Sequence, residues 1–410
     1  MKVLITTKRF PPEAPSTAVL GKELASELAR QGHQVTVAAG YPQHPYGRLF
    51  PGFRKKWLNS EEQDGFRLLR GWHFIHPHPS TLIRALVMAT QCGSYFISAA
   101  HTELPEVVIS FDGYPLLGPL VSAVIARRNG AKAINVIYDI YPDIAVELGA
   151  LQNRHLITGA LWLEKLIYRW SDRIIVLSEG FRRTLVEEKG VDPAKVLVIP
   201  VWLDEGVIVP GERDNSWRRE MEIPLDKFIV LFAGTIGLVS GAELITEVAQ
   251  QMFSRPDILF LMVGDGYAKD QVQAQARELG LSNIKFLPFQ PAERLNELQA
   301  TADISLVTLA PGRGRTSVPS KVLGYMAAAR AVIGAVDLDC DTATMITQAQ
   351  CGLVVPPGNP QALAKAILYY YNHPTEREEA GRCGRAFFLK NYERGMVIKK
   401  YLDLLENIVS

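Results

Sequence analysis

Short apolar segments with the composition of β-strands alternate with longer helical patterns along the whole 410-residue chain. The predicted strands of the first half are Val3–Thr7, Gln34–Ala38, Val107–Ser110, Ile134–Tyr138, Arg173–Leu177 and Val196–Ile199. Those of the second half are Phe228–Phe232, Ile258–Val263, Ile284–Phe286, Ile304–Val307, Ala331–Gly334 and Leu353–Val355. Continuous apolar strands separated by helices are typical of βαβ units and parallel sheets. The sequence therefore predicts an α/β fold.

The alternation is interrupted once, by a connection rich in proline, glycine and charge between Pro200 and Pro224. This break predicts two doubly wound, Rossmann-like domains, residues 1–204 and 205–392. The last helical stretch lies in residues 393–410, and we expect it to pack back on the first domain. Because open α/β sheets bind ligands at the carboxyl ends of their strands, we expect the two sheets to face each other across a cleft that holds the active site.

Composition excludes several classes of protein. A net charge of +1 argues against a dedicated nucleic-acid binder. Four widely spaced cysteines, without the spacing of zinc ligands, indicate reduced thiols in a cytoplasmic protein and no metal site. The N-terminal apolar run is closed by Lys8 and Arg9, too early for a signal peptide. The most apolar long segment, Ala85 to Ala100, is too short and too polar to span a bilayer.

One stretch carries the positive charge of the first half. Residues 1–204 hold 23 basic and 19 acidic residues, and residues 41–100 alone hold seven basic and three acidic residues. Within residues 46–100, basic residues alternate with aromatic ones from Tyr46 to Trp57 and from Phe66 to Trp72. Such a composition suits the surface of an anionic membrane, here the inner face of the cytoplasmic membrane. The alternative is an ordinary insertion that packs on its own domain.

Two loops precede helices and carry anion-binding chemistry. The loop Phe10–Ala18 ends at a helix N-terminus, where free N–H groups favour an anion, but it lacks the glycines of a dinucleotide fingerprint. Its alternative role is a plain helix cap by Ser16 or Thr17. The loop Gly312–Lys321 contains two arginines, two serines and a lysine at the start of a predicted helix, Ser320–Ala329. It predicts a diphosphate cradle at the N-terminus of a helix that Ser317 or Ser320 can cap; the alternative is a solvated basic loop.

Two glycine-rich turns follow strands of the second half. Gly234 and Gly237 come after Phe228–Phe232, and Gly264-Asp265-Gly266 comes after Ile258–Val263. Each permits close approach of a ligand to the backbone, although either one alone is more often a turn. Together with the basic loop they lie at the same edge of one predicted sheet. This coincidence predicts a nucleotide site in the C-terminal domain.

Carboxylates follow strands of the first half. Asp112 comes after Val107–Ser110, and Asp139 and Asp143 come after Ile134–Tyr138. Such groups can serve as a base or a stabilising anion, and helix capping is an equal alternative for Asp143. His76 and His78 are predicted on a loop. No His/Asp/Glu cluster has metal-ligand spacing, and no nucleophile elbow is present.

The order of these segments resembles that of the family 4 glycosyltransferases over essentially the whole chain. The resemblance rests on short motifs at the family's spacing: Phe10-Pro11-Pro12-Glu13, Val176-Leu177-Ser178, Phe232-Ala233-Gly234-Thr235, Met262-Val263-Gly264-Asp265-Gly266, Pro319-Ser320-Lys321 and Val355-Pro356-Pro357-Gly358. The segment Tyr138–Gly149 is similar to the subgroup that acts in surface-polysaccharide and O-antigen assembly.

The resemblance implies a GT-B fold, a nucleotide-sugar donor in the C-terminal domain and a glycan or lipid-linked acceptor in the N-terminal domain. It implies transfer of a hexosyl or N-acetylhexosaminyl group with retention, a UDP donor rather than GDP, and no essential metal. The catalytic candidates are Asp112 and Asp139. The donor-binding candidates are Ser16, Gly234, Gly237, Asp265, Gly266, Leu287, Arg313, Arg315, Ser317, Val318, Ser320 and Lys321. The acceptor-side candidates are His76, His78, Tyr114 and Tyr141.

The chain departs from the family pattern at several of these positions. The two glutamates of the family's Glu-x7-Glu motif correspond to Thr316 and Gly324. A frequent lysine corresponds to Ser240, and a frequent histidine to Tyr138. Phosphate binding would then depend on Lys321, Arg313 or Arg315. Two alternatives stay open: a GT-B enzyme of another class, such as a nucleotide-sugar 2-epimerase, and a non-catalytic partner subunit.

Overall fold

A computed structural model describes residues 1–13, 16–44, 47–77, 80–111, 116–147, 149–237, 239–314 and 320–409, without the side chains of Ser16, Thr81 and Val409. The chain forms two compact units. The N-terminal unit comprises Met1–Pro200 and the residues from Ile398 onward, and the C-terminal unit comprises Val201–Val397. The sequence placed the boundary after residue 204 and the start of the returning segment at residue 393.

The N-terminal unit contains a parallel sheet with one antiparallel edge strand. Its strands are β1 (Lys2–Thr7), β2 (Gln34–Ala39), β3 (Leu58–Gln63), β4 (Phe66–Gly71), β5 (Val107–Ser110), β6 (Lys132–Ile137), β7 (Arg173–Val176) and β8 (Val196–Val198). Its helices are α1 (Ser16–Arg30), α2 (Thr81–Ala100), α3 (Leu117–Asn129), α4 (Asp143–Glu147), α5 (Arg154–Trp170) and α6 (Glu179–Arg183), followed by a π-helical turn, Thr184–Glu188. The strand order is β3-β4-β2-β1-β5-β6-β7-β8, and only β3 runs antiparallel to its neighbour.

The hairpin of β3 and β4 was not predicted from the sequence, and it corrects the interpretation of residues 46–100. Strand β4 pairs in parallel with β2 and is buried, with Arg70 only 2% exposed. The Arg70 guanidinium donates to the carbonyl oxygens of Gly40 and Pro11, at 2.7 and 2.5 Å. Part of the basic stretch therefore belongs to the sheet and not to the surface. The Arg70 guanidinium can be buried there because backbone carbonyl oxygens accept its hydrogen bonds.

The C-terminal unit contains a six-stranded parallel sheet in its described residues. Its strands are β9 (Phe228–Ala233), β10 (Ile258–Val263), β11 (Ile284–Leu287), β12 (Ile304–Thr308), β13 (Ala331–Ala335) and β14 (Gly352–Val355). Its helices are α7 (Ser216–Glu220), α8 (Glu243–Gln251), α9 (Lys269–Glu278), α10 (Leu295–Thr301), α11 (Lys321–Ala327), α12 (Asp341–Gln348), α13 (Pro360–Asn372) and α14 (Pro374–Asn391). A final helix, α15 (Arg394–Val409), begins in this unit and ends in the N-terminal one.

Strand β9 shows why this sheet is covered on both faces. Val230 and Phe232 pack in one hydrophobic cluster, and Ile229 and Leu231 pack in another. Since successive side chains of a strand point to opposite faces, a continuous apolar run requires helices on both sides. The order β11-β10-β9-β12-β13-β14 is the doubly wound order, whose direction reverses between β9 and β12. This architecture, present in both units, confirms the predicted GT-B fold class.

Helix α2 contains the apolar segment that the sequence singled out. It spans Thr81–Ala100 and buries Cys92, Tyr95 and Ser98 within the N-terminal unit. Among the described residues, no helix combines the length and the apolar character that crossing a bilayer requires.

Candidate active site

The backbone beyond β9, β10 and β11 forms a continuous hydrogen-bonded platform. The Gly234 N–H donates to Val263 O at 2.9 Å, and the Gly264 N–H donates to Leu287 O at 3.0 Å. One step further along, the Ile236 N–H donates to Asp265 O at 2.9 Å. The predicted donor-binding residues Gly234, Asp265 and Leu287 thus lie at one edge of one sheet.

Two glycines of this platform leave no room for a side chain. At Gly264, with φ of 155°, a Cβ atom would overlap the carbonyl oxygen of Gly234. At Gly266, with φ of 150°, it would overlap the carbonyl oxygen of Ile236. The two loops therefore approach each other more closely than any other residue type would allow. Asp265 is exposed, accepts from the Gly266 N–H at 2.8 Å and lies 3.5 Å from Lys269.

Ser240 closes the turn at Gly237. Its hydroxyl donates to Gly237 O at 2.6 Å, and the Gly237 N–H donates to the Ser240 hydroxyl oxygen at 3.1 Å. Thr308, at the end of β12, donates to Ser240 O at 2.5 Å. Ser240, which stands where the family pattern often has a lysine, therefore fixes the loop after β9 through these hydrogen bonds.

Strands β9 and β12 diverge at the reversal of strand order, where doubly wound sheets have their ligand-binding crevice. The two strands pair only at Ile304–Val230 and Ser305–Leu231, although both continue beyond these residues. The Tyr325 hydroxyl, on α11, accepts from the Ala233 N–H at 2.9 Å and lies 3.3 Å from Ala233 O. Tyr325 thus satisfies backbone groups where the strand ladder has ended, and burial raises its pKa. Ligands of doubly wound sheets bind at this reversal of strand order.

Lys321 lies at the same crevice. Its Nζ atom is 3.7 Å from the centroid of the Phe232 ring, and a Cβ atom on Gly234 would meet its Cε and Nζ atoms at 3.2 and 3.3 Å. Among the described residues, no carboxylate forms an ion pair with Lys321. Burial lowers its pKa to about 7, because a desolvated ammonium without a counter-charge is unfavourable. An anionic ligand would supply that counter-charge.

The basic loop before α11 is anchored by a carboxylate that sequence reasoning missed. Asp337, just beyond β13, accepts from the N–H groups of Gly312 and Gly314 at 3.1 and 3.0 Å. Arg313, between them, is half-buried. Like the other candidates, Asp337 is a polar residue shortly after a predicted strand. The same criterion could therefore have identified it from the sequence. Arg315, Ser317 and Val318 lie outside the described residues.

The predicted cap of α11 by Ser320 is wrong. Ser320 has φ of −64° and ψ of −17°, a helical conformation, and its side chain caps no N–H group. An N-cap side chain accepts from the following turn when its own backbone is extended. Ser320 therefore leads into α11 without capping it, while Lys321 occupies the first helical position.

The N-terminal unit contains a cavity of about 260 Å³. Its lining includes Lys8 and Arg9 after β1, Asn135 on β6, and Tyr138, Asp139 and Tyr141 after β6; Glu164, Ile167 and Tyr168 on α5 close it. The catalytic candidate Asp139 and the acceptor-side candidate Tyr141 are thus brought together, and Asp139 is exposed. Sequence reasoning missed Arg9 and Asn135 as site residues.

Two residues of the lining, Glu164 and Tyr168, belong to a partly buried ion cluster. Lys189 donates to Asp143 at 2.6 Å and to Glu164 at 3.0 Å, and Tyr168 donates to Glu164 at 2.8 Å. Burial raises the pKa of Glu164 even though Lys189 and Tyr168 stabilise its charged form. Asp143 is the first residue of α4 and pairs with Lys189, an ion-pair role that neither sequence-based alternative included.

The remaining candidates lie apart from this cavity or outside the described residues. His76 is exposed and stacks on Phe74, with ring centroids 5.8 Å apart. Ser16 is the first residue of α1. Asp112, Tyr114 and His78 fall outside the described residues. The described part of the chain contains no group of three His, Cys, Asp or Glu side chains arranged to hold a metal ion.

Comparison with known families identifies the two units. Residues 18–202 match the family model of a glycosyl transferase 4-like domain, and residues 213–387 match that of glycosyl transferases group 1. The chain belongs to the family 4 glycosyltransferases. The resemblance inferred from the sequence motifs is therefore confirmed, and the protein is a GT-B glycosyltransferase related to enzymes of polysaccharide biosynthesis.

This glycosyltransferase has curated relatives of similar length. It is 26% identical over 334 residues to the putative colanic acid biosynthesis glycosyl transferase WcaI of Escherichia coli, covering 80% of this chain and 81% of the relative. It is 26% identical over 306 residues to the probable glycosyltransferase WbjE of Pseudomonas aeruginosa, covering 74% of this chain and 75% of that one.

Solved structures share the glycosyltransferase's fold at low identity. Sucrose-phosphate synthase from Thermosynechococcus elongatus superposes with a TM-score of 0.76 at 16% identity, covering 99% of this chain and 98% of that one. HepE of Anabaena, solved in complex with UDP-glucose, superposes with a TM-score of 0.73 at 14% identity, covering 99% of each chain.

Proposed function

We propose that this glycosyltransferase transfers a hexosyl or N-acetylhexosaminyl group from a UDP-sugar to a surface-glycan or lipid-linked acceptor. The observation that carries the proposal is the Lys321 ammonium at the crevice between β9 and β12, beside Gly234 and without a carboxylate partner among the described residues. The similarity to WcaI, a putative colanic acid biosynthesis glycosyl transferase, supports the acceptor class, and the similarity to HepE, solved with UDP-glucose, supports the donor.

The chemistry required of the site is charge stabilisation. The bond between the anomeric carbon and the diphosphate oxygen breaks, a bond to the acceptor hydroxyl oxygen forms, and the hydroxyl proton leaves. Negative charge develops on the departing diphosphate, and a cation fixed in a desolvated crevice stabilises it without reorganisation. We assign that role to Lys321, with Arg313 on the adjacent loop as a second cation. Asp139 in the N-terminal unit is our candidate to interact with the reacting sugar or to accept the proton.

Retention at the anomeric carbon and independence of a metal ion are part of the proposal. Lysine and arginine charges neutralise a leaving diphosphate where other enzymes use a divalent cation. Transfer measured with and without EDTA tests the second point, and the anomeric configuration of the product, read by proton NMR, tests the first. Loss of turnover with EDTA that Mg²⁺ or Mn²⁺ restores would contradict the metal-free mechanism.

The donor is tested by a thermal-shift screen of UDP- and GDP-sugars, because a ligand that binds only the folded state raises its melting temperature. We expect UDP-sugars to stabilise the protein. The Lys321→Met variant should lose most of that shift, whereas the exposed Lys365→Met should keep it. No saturable binding of any nucleotide sugar to the wild-type protein would contradict the proposed function.

We also propose that the N-terminal unit binds the anionic inner face of the cytoplasmic membrane. The segment Arg54–Trp57 supports this because its four side chains are exposed, Trp57 by 65%. Cations beside an exposed aromatic ring suit the interface of an anionic bilayer. Arg70 does not contribute, since it is buried in the sheet.

Vesicle co-sedimentation tests the membrane proposal. A variant carrying Lys55→Gln, Lys56→Gln and Trp57→Ala should lose binding to vesicles that contain anionic phospholipid. The exposed pair Lys399→Gln and Lys400→Gln removes equal charge from α15 and serves as the control. Equal sedimentation of both variants, or binding that does not depend on anionic lipid, would refute this surface.

A further inference from the structure

The cavity of the N-terminal unit contains a polar group that the protein does not satisfy. Asn135, on β6, is 5% exposed, and its Oδ1 atom is buried without a hydrogen-bond partner. An unpartnered buried amide oxygen destabilises the fold that contains it. Asn135 lines the cavity. A ligand hydroxyl inside the cavity would satisfy this amide.

Arg9 adds an uncompensated positive charge to the same lining. It follows β1, and its buried Nε atom has no hydrogen-bond partner. Among the described residues, no carboxylate forms an ion pair with Arg9. The pKa of neighbouring His44 is lowered to about 4, first by burial and then by the charges of Arg9 and Lys8. The positive charge at the end of β1 therefore also disfavours the protonated form of His44.

The acidic residues of the lining do not cancel this charge. Glu164 is already paired with Lys189 and accepts from the Tyr168 hydroxyl, so its carboxylate is engaged by residues other than Arg9. Asp139 is exposed rather than buried beside Arg9. The lining thus combines a cation, an unsatisfied amide and the rings of Tyr138, Tyr141 and Tyr168.

We propose that this cavity binds a sugar phosphate, the non-reacting part of an acceptor in which a phosphate is attached to a sugar. The inference rests on the proposed glycosyl transfer and specifies its acceptor. Arg9 binds the phosphate through charge-assisted hydrogen bonds, Asn135 binds a sugar hydroxyl, and the tyrosine rings cover the apolar face of the sugar. A volume of about 260 Å³ is smaller than the ~300–1,000 Å³ pockets of drug-sized ligands, and it suits a single sugar unit.

Isothermal titration of the full chain with glucose 1-phosphate, glucose, geranyl phosphate and UDP tests the proposal. We expect glucose 1-phosphate to bind the wild-type protein, and glucose and geranyl phosphate to bind about tenfold more weakly or worse, since each lacks one recognised group. Arg9→Gln should weaken glucose 1-phosphate about tenfold and leave UDP unchanged. The exposed Arg84→Gln, on α2 of the same unit, is the matched control.

A second variant separates binding from folding. Asn135→Leu removes the unsatisfied amide, so we expect a higher melting temperature for the free protein together with loss of the stabilisation by glucose 1-phosphate. A lowered melting temperature with binding intact would show that Asn135 is only structural and would overturn its role.

Three results would overturn the inference as a whole. They are equal binding of glucose 1-phosphate by wild type and Arg9→Gln, competition between UDP and glucose 1-phosphate for one site, and equal affinity for geranyl phosphate. The last would assign the cavity to a lipid phosphate without its sugar. Absence of UDP binding would contradict the proposed function instead, so the two failures are distinguishable.

Discussion

The ammonium group of Lys321 lies 3.7 Å from the centroid of the Phe232 ring, at the point where β9 ends. The ring face attracts the cation, but burial outweighs this attraction and lowers the lysine pKa to about 7. The free protein therefore holds a charge that it stabilises poorly. A bound diphosphate would stabilise the charged form of Lys321 and raise its pKa.

Replacing Lys321 with methionine removes the charge and keeps an apolar chain over Phe232. We expect UDP to bind about ten- to a hundredfold more weakly, because a charge-assisted contact to phosphate is lost, and uridine to bind unchanged. Calorimetric competition measures both. Equal losses for UDP and uridine would mean that Lys321 supports the site generally rather than the phosphates.

The affinity for UDP-glucose should depend on pH. Below about pH 7 Lys321 carries its proton and binding needs no proton uptake; above it the free lysine is neutral, and binding must take up a proton as the diphosphate raises its pKa. We expect uptake of roughly half a proton at pH 7 and weaker binding as pH rises from 7 to 9. Titration in buffers of different ionisation enthalpy measures the uptake. Persistence of the dependence in Lys321→Met would assign it to another group.

Tyr325→Phe should destabilise the C-terminal unit. The variant leaves the Ala233 N–H without its partner in a buried crevice, which costs about 1–3 kcal/mol. Urea unfolding measures the loss. Tyr369→Phe removes a hydroxyl from a side chain that is 40% exposed and should change little. Comparable effects of the two variants would contradict the role of the Tyr325 hydroxyl.

Gly264→Ala should disrupt the platform beyond β9 and β10. Its Cβ atom would overlap the Gly234 carbonyl oxygen at a φ of 155°, so either the loop moves or the strand ends separate. We expect loss of UDP-induced stabilisation together with a lower melting temperature. Gly93→Ala is the control, since it lies on α2 with no atom near its Cβ position, and it should stabilise that helix by about 1 kcal/mol.

Lys189→Met should cost about 3–5 kcal/mol of unfolding free energy, because it leaves the buried Glu164 without its cation. Adding Glu164→Gln should restore part of that loss, since the uncompensated charge is then removed. Chemical denaturation of the single and double variants measures both effects. If the double variant lost more unfolding free energy than Lys189→Met alone, the charge-based explanation would be contradicted.

Helix α14 shows what periodicity does not reveal. The segment Pro374–Asn391 was not predicted, because its apolar residues show no strong helical stripe. Its contact face contains Gly381 and Gly384, and a Cβ atom on Gly381 would overlap the Ala329 carbonyl oxygen. Apart from the buried Phe388, the helix packs through close backbone approach at these glycines. Hydrophobic patterns detect large side chains only.

Most of the fold could be predicted from the sequence: the two domains built of βαβ units, most strand positions, the family and the loops at the edge of the C-terminal sheet. These follow from local information: apolar runs of fixed period, glycines at strand ends and short motifs in order. Which polar residues are buried together could not be predicted in this way and became apparent from the tertiary structure. It removed Arg70 from the surface, denied Ser320 a capping role, paired Asp143 with Lys189, and brought Arg9 and Asn135 to one cavity. Burial and pairing depend on residues far apart in the chain, and they set the charge and hydrogen-bonding capacity of each group.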